Sequence, residues 1–359
     1  MIRTNDEGRL ADVTVAPTAS ITSAIRQLDR AGTGALLVCD GEGTLLGLVT
    51  DGDIRRAMLQ GIPFSQPALS IARRDPLVAP AHVAGDEALR LMDTALGFEV
   101  NQLPLVDADG RARGLLLRRD LVTHERRALS ALIMAGGFGT RMLPLTEHLP
   151  KPMLPVGDRP LLERTLTQMR EAGIGRVAIS THHLADCITS HFGDGTELGM
   201  DLQYLNEAIP LGTAGALRLL PDVDGPLLVI NGDILTGVPF EDMLAFHQRE
   251  GAGMTVGMRR CELQLPYGLL DCDGSRIRDV REKPRQSFWA NAGVYIVEAE
   301  ARRSIPPDRR FDMTDLITHM LAEGRAVAGF PIVEYWLDIG QPADYARALA
   351  DQDQLEAVR

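Results

Sequence analysis

The sequence is poor in cysteine and has no cysteine pattern. Four of the 359 residues are cysteine, and none stands in a CxxC pair or near histidines at zinc-type spacing. A disulfide framework and a structural zinc site are therefore not expected. We interpret all four as small buried apolar residues in a reducing compartment: Cys39, Cys187, Cys261 and Cys272.

Long apolar runs and blocks of positive charge are also missing. No stretch approaches the roughly 18–20 apolar residues that a membrane helix requires, and residues 1–7 contain no apolar segment typical of a signal peptide. We therefore expect a cytoplasmic protein that does not bind membranes. The formal net charge is −12 without a basic run, which argues against nucleic acid as a partner but leaves room for a nucleotide.

An internal repeat occupies the first third of the chain. Four Asp and Gly positions recur at a constant offset of 67 residues, which predicts a duplicated supersecondary unit. They are Asp40, Gly43, Gly47 and Asp53, followed by Asp107, Gly110, Gly114 and Asp120. The length indicates more than one domain. We predict one module over residues 1–126, with repeats at about 8–62 and 67–124, and a second domain over residues 127–359.

Each repeat predicts two strands and the helices that cover them. The predicted elements are, in chain order, a helix capped by Ser20, strands at 35–38 and 45–49, a helix from about Asp51, a helix at 86–95, and strands at 103–106 and 114–117. Neither half has enough strands to bury both faces of a sheet. We therefore expect the two halves to pack together as one α+β module.

This pattern resembles a tandem pair of CBS domains over about residues 8–125. In that family a Thr or Ser ends the second strand, and it contacts the ribose and phosphate of an adenine nucleotide together with an Asp three residues later. Thr50 and Asp53 fit, whereas the second repeat has Leu117 in place of the hydroxyl, before Asp120. The resemblance implies a regulatory nucleotide at Thr50, Asp53 and Asp120, and a homodimer or higher homo-oligomer. The alternative is that both Asp residues only cap the helices that follow them.

From residue 131 onward, apolar strands alternate with amphipathic helices. The predicted elements are strands at 131–134, 176–180 and 227–230, a helix that starts at Asp158-Arg159-Pro160 and ends at Gly173, and an insertion of hairpin character at 254–297. This alternation predicts an α/β fold, a Rossmann-like domain with a mostly parallel sheet and helices on both faces.

A glycine-rich loop follows the first of these strands. In the run Gly136-Gly137-Phe138-Gly139-Thr140-Arg141 the glycines let backbone amides approach phosphates closely. Arg141 stands where a dinucleotide-binding motif needs its third glycine, and the Gly-Lys-Ser/Thr of a P-loop is missing. Arg141 and Lys151 place two cations beside the glycines. The pattern favours a site for a nucleoside triphosphate.

The segment 134–157 resembles the signature of the sugar-1-phosphate nucleotidylyltransferase family. The resemblance spans about residues 131–349 and continues, in the family's order, through the segments 210–217, 229–233, 267–268, 282–284, 291–295 and 336–340. It implies a nucleotidyltransferase domain of the GT-A-like type. The site residues that it implies are Arg141, Lys151 and Asp233 for catalysis, Asp233 and Asp338 for Mg²⁺, Ala135, Gly136, Gly137, Gly139, Thr140, Glu207, Gly212 and Thr213 for the nucleotide, and Tyr267, Gly268, Glu282, Lys283, Asn291 and Gly293 for the sugar phosphate.

The physical chemistry of these residues agrees with the implied reaction. Asp233 follows a buried strand, so it should lie at the carboxyl end of the sheet, where ligands of such folds bind. Asp233 and Asp338 are hard oxygen ligands suited to Mg²⁺. The attacking oxygen belongs to a phosphate that is already anionic, and no general base is required. The implied step is one in-line displacement, giving an NDP-sugar and pyrophosphate through positioning and electrostatics.

The choice of base depends on Glu207. Uridylyl- and thymidylyltransferases of the family commonly have Gln at this position, whereas a carboxylate only accepts hydrogen bonds and suits the N1–H and N2–H₂ donors of guanine. We therefore favour GTP, with a hexose or hexosamine 1-phosphate as acceptor, as in the CBS-containing guanylyltransferases that the chain resembles. The alternatives are an exposed loop position for Glu207, a uridylyl-, thymidylyl- or cytidylyltransferase, and a nucleotide-sensing protein without catalytic activity.

Overall fold

The computed structural model describes residues 7–94, 100–118, 121, 129–221, 225–307 and 309–351. The chain divides into two compact units. One takes in the residues up to Ala128 and those from Ala346 onward, and the other runs from Leu129 to Tyr345. The predicted domain boundary at residues 126 and 127 lies outside the described residues, as do Asp120 and Ala95. In the described ranges, no helix is long and apolar enough to cross a membrane.

The first repeat forms a small mixed sheet with helices. Its elements are α1 (Glu7–Asp12), β1 (Thr14–Val15), α2 (Ile21–Ala31), β2 (Ala35–Cys39), β3 (Leu45–Thr50) and α3 (Asp51–Leu59). Strand β2 lies between β1, to which it is parallel, and β3, to which it is antiparallel. Ser20 caps α2 as predicted, accepting a hydrogen bond from Ser23 N, and Gly32 ends this helix in the left-handed conformation.

The sheet of the second repeat has the same topology as that of the first. Its elements are β4 (Ala79–Pro80), α4 (Gly85–Thr94), β5 (Gln102–Val106) and β6 (Ala112–Leu117). The repeated Asp residues close equivalent turns. Asp40 Oδ1 accepts a bond from Thr44 N, and Asp107 Oδ1 accepts one from Arg111 N, both at 2.9 Å. These backbone bonds are the main reason why the pKa of each carboxyl lies below its ordinary value.

The two repeats pack together, as expected. Leu45 N donates to Gly110 O at 3.0 Å, and Ala112 N donates to Gly43 O at 2.9 Å, so the two turns are joined by backbone hydrogen bonds. One hydrophobic cluster contains residues of both repeats, among them Val13, Leu37, Leu48, Leu115 and Leu117. Each half therefore covers apolar surface that the other would leave exposed.

A seven-stranded sheet forms the centre of the second unit. The strands of this unit are β7 (Ser130–Met134), β8 (Pro155–Val156), β9 (Arg159–Pro160), β10 (Arg176–Thr181), β11 (Asp201–Asn206), β12 (Leu227–Asn231), β13 (Ile234–Thr236), β14 (Met254–Gln264), β15 (Leu269–Asp273), β16 (Arg276–Arg281), β17 (Arg285–Val297), β18 (Val327–Ile332) and β19 (Trp336–Asp338). The order in the sheet is β11-β10-β7-β12-β17-β14-β18. Only β17 is antiparallel to its neighbours, so the mostly parallel sheet is confirmed.

Helices cover both faces of this sheet. They are α5 (Leu161–Glu171), α6 (Ala185–Phe192), α7 (Gly212–Gly215), α8 (Phe240–Glu250), α9 (Ala299–Arg303) and α10 (Met313–Ala322). A further helix, α11 (Pro342–Ala350), contains residues of both units. Because successive side chains of a strand point to opposite faces, Ile133 belongs to a core with residues of α5, α6 and α8. Leu132, one residue earlier, belongs to a second core with residues of α7, α9 and α10.

The predicted start of the helix at Asp158 is wrong. Helix α5 begins at Leu161 after Pro160, whose ψ of 148° is extended, and no side chain caps it. Residues 155–160 form the β8–β9 hairpin, turning at Gly157 with φ of 72°. Asp158 therefore lies in the hairpin, where it accepts a hydrogen bond from Arg164 at 3.2 Å. The predicted end at Gly173 is confirmed, since Gly173 N donates to Arg170 O and its φ is 77°.

The insertion at 254–297 has the predicted hairpin character. Strands β14 and β17 pair antiparallel along most of their length, and β15 and β16 form a second antiparallel hairpin between them. Most side chains from 260 to 290 are exposed. Cys261 and Cys272 are among them, so the prediction that all four cysteines are buried is wrong for these two. The insertion therefore interrupts the alternation of strands and helices while leaving the central sheet intact.

Candidate active site

The glycine-rich loop begins where two parallel strands end. Ala135 N donates to Ser180 O of β10 at 3.0 Å. Gly139 has φ of 63°, and a Cβ there would lie 3.1 Å from the side chain of Thr146. Thr146 is buried and donates its hydroxyl to Gly139 O at 2.8 Å. The loop is thus fastened in a conformation that only glycine adopts easily at position 139.

A cavity of about 400 Å³ opens beside this loop. It lies at the carboxyl ends of β7, β10 and β12, the edge at which open α/β sheets bind ligands. The predicted residues that line it are Ala135, Gly136, Gly137, Gly139, Thr140, Arg141, Lys151, Glu207, Gly212, Thr213 and Asp233. The structure therefore brings all the predicted nucleotide-binding and catalytic residues to one cavity, although they come from separate segments.

Lys151 and Asp233 form an ion pair in the cavity wall. Lys151 lies in a short 3₁₀ turn, Lys151–Met153, and is 8% exposed. Its Nζ is 2.5 Å from Oδ2 of Asp233, which follows β12 directly. A buried ammonium needs such a partner because removal from water is costly for an unpaired charge. The pair therefore places one cation and one carboxylate side by side in the cavity wall.

Asp338 stands next to this pair. Strand β19 pairs with β13 so that Asp338 faces Ile234, and Ile339 N donates to Asp233 O at 3.0 Å. Partial loss of hydration, and then the charge of Asp233, raise the pKa of Asp338, while Lys151 and Arg141 act in the opposite direction.

The donor set fits one Mg²⁺. Two carboxylates that disfavour each other's charge become favourable when a divalent cation lies between them, and Mg²⁺ prefers oxygen ligands. Within the described residues, no group of three or more His, Cys, Asp or Glu side chains could hold a metal. The protein would therefore supply Asp233 and Asp338 and leave the remaining coordination positions to phosphate oxygens and water.

Glu207 is buried in the wall of the cavity, and the alternative of an exposed loop position is wrong. The residue is 6% exposed and follows β11. Its Oε1 accepts a hydrogen bond from Ser180 Oγ at 2.7 Å, and its Oε2 accepts one from Leu211 N at 2.9 Å. A Cβ on Gly136 would lie 3.1 Å from Oε1, so the glycine-rich loop passes directly over this carboxylate.

Comparison with protein families agrees with this geometry. The family model described as nucleotidyl transferase matches residues 130–354. The chain belongs to the nucleotidyl transferase family. A model of the CBS domain matches residues 10–60 and 68–126, the two halves of the N-terminal repeat. This match confirms the predicted tandem CBS pair.

Two curated relatives of this nucleotidyl transferase are named for the same activity. The chain is 33% identical over 241 residues to "Mannose-1-phosphate guanylyltransferase" of Mycobacterium tuberculosis, covering 64% of this chain and 66% of that protein. It is 33% identical over 226 residues to "Mannose-1-phosphate guanylyltransferase catalytic subunit beta" of Danio rerio, covering 60% of this chain and 62% of that one. The chain thus spans 62–66% of the length of these relatives.

A solved structure shows the same fold. It comes from Bacillus anthracis, is described as a candidate glucose-1-phosphate thymidylyltransferase in complex with a sucrose, and has a TM-score of 0.52 and 24% identity. The alignment covers 64% of this chain and 99% of that one. The nucleotidyltransferase fold predicted from the sequence is therefore confirmed.

The predicted sugar-phosphate residues do not line the cavity. Tyr267 is 74% exposed on the insertion, and a Cβ on Gly268 would lie 2.8 Å from Glu282 Oε2, so those two positions touch. Lys283 follows with a positive φ of 42°. Gly268 and Glu282 therefore lie in contact on the insertion, and the role of all four residues in binding a sugar phosphate remains a prediction.

Asn291 and Gly293 lie nearer the cavity. Asn291 Oδ1 accepts a hydrogen bond from Gly293 N at 3.0 Å. Gly293 has φ of 71°, and a Cβ there would lie 2.7 Å from the side-chain amide of Asn231, a residue of the cavity wall. This strand therefore connects the insertion with the nucleotide cavity.

Sequence reasoning missed part of the cavity wall. Asp312 Oδ1 accepts a hydrogen bond from Thr213 N at 2.9 Å, and Arg310 stands beside it with Nη2 3.2 Å from Asp312 Oδ2. Both residues line the cavity, as do Ser180 and Asn231. Sequence signals existed for two of these residues. Asn231 lies in the segment 229–233 of the family signature, and Asp312 forms a capping box with Asp315 at the start of α10.

The CBS residues Thr50 and Asp53 bind each other. Asp53 Oδ2 accepts from Thr50 Oγ1 at 2.7 Å and from Thr50 N at 3.0 Å, and Thr50 Oγ1 accepts from Asp53 N at 3.2 Å. Arg56 Nη1 is 2.7 Å from Asp53 Oδ1. The capping role weighed from the sequence is confirmed for the first repeat. Nucleotide binding there remains a prediction, and Asp120 lies outside the described residues.

Proposed function

We propose that this nucleotidyl transferase joins GTP to a sugar 1-phosphate, giving a GDP-sugar and pyrophosphate. The observation that carries the proposal is a single cavity lined by the glycine-rich loop, by Lys151 with Asp233, and by the buried carboxylate of Glu207. Loop amides and cations suit a triphosphate, and an acceptor-only carboxylate suits the donor edge of guanine. The names of the curated relatives support the same base.

The proposed acceptor is a hexose 1-phosphate. Mannose 1-phosphate comes first because the curated relatives are named for it, and a hexosamine 1-phosphate comes second. The acceptor would bind the predicted residues of the insertion, Tyr267, Gly268, Glu282, Lys283, Asn291 and Gly293, with Lys283 as the cation for its phosphate. The contact of Gly293 with Asn231 of the cavity wall supports an approach from that side.

The proposed chemistry is one in-line displacement. A phosphate oxygen of the sugar 1-phosphate forms a bond to the α-phosphorus of GTP, the bond from that phosphorus to the bridging oxygen breaks, and pyrophosphate leaves with its electron pair. A phosphate monoester has a second pKa of about 6 and is mostly dianionic at neutral pH, so no side chain has to accept a proton. The loop amides, Arg141 and Lys151 hold the two anionic substrates together and neutralise their charge.

Asp233 and Asp338 would hold one Mg²⁺ in this reaction. When bound, such an ion neutralises phosphate charge and makes the phosphorus more electrophilic. Lys151 balances Asp233 before the substrates arrive, since the two are in direct contact.

A pyrophosphate-release assay tests the proposal. Each of GTP, ATP, UTP, CTP and dTTP is combined with mannose, glucose or glucosamine 1-phosphate, and GTP with mannose 1-phosphate should give the highest kcat/KM. Asp233→Asn should lower the rate by about 100-fold or more, whereas Asp271→Asn on the exposed insertion should not change it. A preference for UTP or dTTP would contradict the guanine assignment. If none of the five nucleotides gave pyrophosphate release, the nucleotide-sensing alternative would be favoured.

We propose further that the CBS pair regulates the transferase by binding an adenine nucleotide at Thr50 and Asp53, with Asp120 in the second repeat. A nucleotide there would contact the capping box at the end of β3, in which Thr50 is half-buried and Asp53 is buried. A cytoplasmic location and a homodimer or higher homo-oligomer also stay predictions of the sequence. Sedimentation of the full chain with and without nucleotide measures the oligomeric state.

A further inference from the structure

Ser180 stands next to the end of β10, in the wall of the cavity. The residue is 1% exposed, and its hydroxyl donates to Glu207 Oε1 at 2.7 Å. We propose that Ser180 is a positioning residue that sets base selectivity by fixing the orientation of the Glu207 carboxylate. The inference rests on the proposed function, because it specifies how the same site recognises guanine.

The backbone of Glu207 is fixed at both of its polar groups. Glu207 N donates to Thr181 O at 2.9 Å, which continues the ladder between β10 and β11. His182 Nδ1 lies 2.7 Å from Glu207 O. A carbonyl oxygen can only accept, so this ring nitrogen carries the proton. With the backbone held in this way, only rotation of the side chain could change where the carboxylate points.

Two further bonds restrict that rotation. Ser180 Oγ donates to Oε1, and Leu211 N donates to Oε2 at 2.9 Å. An ionised carboxylate offers about four lone-pair positions, so two remain, one on each oxygen. Gly136 leaves room for the carboxylate, since a Cβ there would approach Oε1 to 3.1 Å. The site therefore presents two acceptors in a fixed relation to each other.

Two adjacent acceptors match guanine better than the other bases. Guanine carries N1–H and N2–H₂ side by side, whereas uracil, thymine, cytosine and adenine each place an acceptor beside the donor on that edge. Hypoxanthine keeps N1–H but lacks the amino group. If the fixed carboxylate reads both donors, ITP should be a poorer substrate than GTP, and loosening the carboxylate should reduce that difference.

The hydroxyl of Ser180 can also reverse its role. It donates to a carboxylate, but it can accept from an amide NH₂. In Glu207→Gln the amide oxygen would stay on Leu211 N and the NH₂ group would face Ser180 Oγ, so the side chain keeps its place. Selectivity should then move from guanine toward uracil and thymine without loss of the fold.

The test measures kcat/KM for GTP and for ITP in the full chain. Ser180→Ala should raise the KM for GTP more than it lowers kcat, and should reduce the preference for GTP over ITP by about tenfold, as loss of one hydrogen bond to a charged group predicts. Ser180→Thr, which keeps the hydroxyl, should restore the preference. Thr181→Val, which removes the neighbouring buried hydroxyl of the same strand, is the matched control and should leave the preference unchanged.

Three results would overturn the inference while leaving the proposed function intact. They are an unchanged GTP-to-ITP preference in Ser180→Ala, an equal loss for both nucleotides, or the same effect in Thr181→Val. The effects of Ser180→Ala and Glu207→Gln should also be non-additive, because one residue acts through the other, and additive effects would count against the inference.

If Ser180→Ala does not fold, Ser180→Cys takes its place and must give an intermediate preference for GTP over ITP. Absence of pyrophosphate release with GTP in the unaltered chain overturns the proposed function, and the inference with it.

Discussion

At the scale of single residues, nearly all basic side chains of this chain are arginine. Lysine occurs only at Lys151 and Lys283, and every other basic position among 37 Lys and Arg residues is arginine. Lys151 is 8% exposed with Nζ 2.5 Å from Asp233 Oδ2, a compact contact that a planar guanidinium would not fit. A point charge on a flexible stem can satisfy one carboxylate and still turn toward a phosphate oxygen.

This use of lysine predicts that Lys151→Arg is as damaging as Lys151→Met. Both should lower pyrophosphate release by about 100-fold or more, the range for loss of a positioned charge at a reacting group. Arg159→Lys, at a partly exposed ion pair with Asp158, is the matched control and should leave the rate unchanged. A Lys151→Arg variant with ordinary activity would show that charge alone suffices and that the tight contact with Asp233 is not needed.

The residue scale also shows what sequence reasoning could reach. Gly136, Arg141, Lys151 and Asp233 belong to contiguous motifs, and the structure brings them to one cavity. Ser180 is one of two polar residues at the end of β10, and only its pairing with Glu207, 27 residues away, gives it a part in the site. The register between β10 and β11 brings the two side chains together, and a local sequence pattern cannot predict such a register.

At the scale of elements, one wall of the cavity depends on contacts between the segments 310–312 and 211–215, which are distant in sequence. Phe311 O accepts hydrogen bonds from Ala214 N and Gly215 N of α7, and Asp312 caps α10 while binding Thr213 N. Gly212 lies directly against Phe311 and Asp312. The predicted helix start at Asp158 failed for a related reason, because the β8–β9 hairpin competes for the same residues. Local propensity finds an element, but its ends depend on partners.

Gly212 provides a prediction with an internal control. Gly212 and Gly225 have the same φ of 82°, but a Cβ on Gly212 would lie 2.6 Å from Asp312 Oδ1 and 2.8 Å from Phe311 O, whereas Gly225 has nothing within 4 Å. Both Ala variants share a left-handed backbone penalty of about 1–2 kcal/mol. Gly212→Ala should lose further stability and raise the KM for GTP, since the segment at 211–215 must shift. Thermal melting and steady-state kinetics measure both effects. Equal melting temperatures and equal KM values for GTP in the two variants would show that the contact of Gly212 with Phe311 and Asp312 does not shape the cavity.

At the scale of the whole molecule, a duplicated N-terminal module precedes a transferase domain. The repeat could be predicted from the sequence because its Asp and Gly residues form the same turn in both halves. Asp40 and Asp107 close equivalent turns. The order of strands in the larger sheet, in which β17 enters antiparallel between β12 and β14, was not visible. Alternating strands and helices indicate a layered fold, but strand order depends on long-range pairing that no local pattern encodes.

The two-unit organisation leads to a prediction about the CBS pair. Thr50 and Asp53 already satisfy each other in a capping box, so an adenine nucleotide would have to bind oxygens that stay partnered. AMP or ADP, without GTP or sugar phosphate, should raise the melting temperature of the full chain, because a ligand that binds only the folded state stabilises it by mass action. At 100 times the dissociation constant this amounts to about 2.7 kcal/mol.

Substitutions at Thr50 separate the ligand from the cap. Thr50→Val removes the hydroxyl and should cost about 0.5–2 kcal/mol through the lost cap alone, which lowers the melting temperature without nucleotide. If Thr50 also contacts the ligand, this variant should lose most of the nucleotide-induced shift, whereas Thr50→Ser should keep it. A shift of equal size in both variants would mean that the nucleotide binds elsewhere and that Thr50 and Asp53 serve only the helix. Because capping and ligand binding draw on the same two side chains, only the difference between the shifts, and not either melting temperature, decides between them.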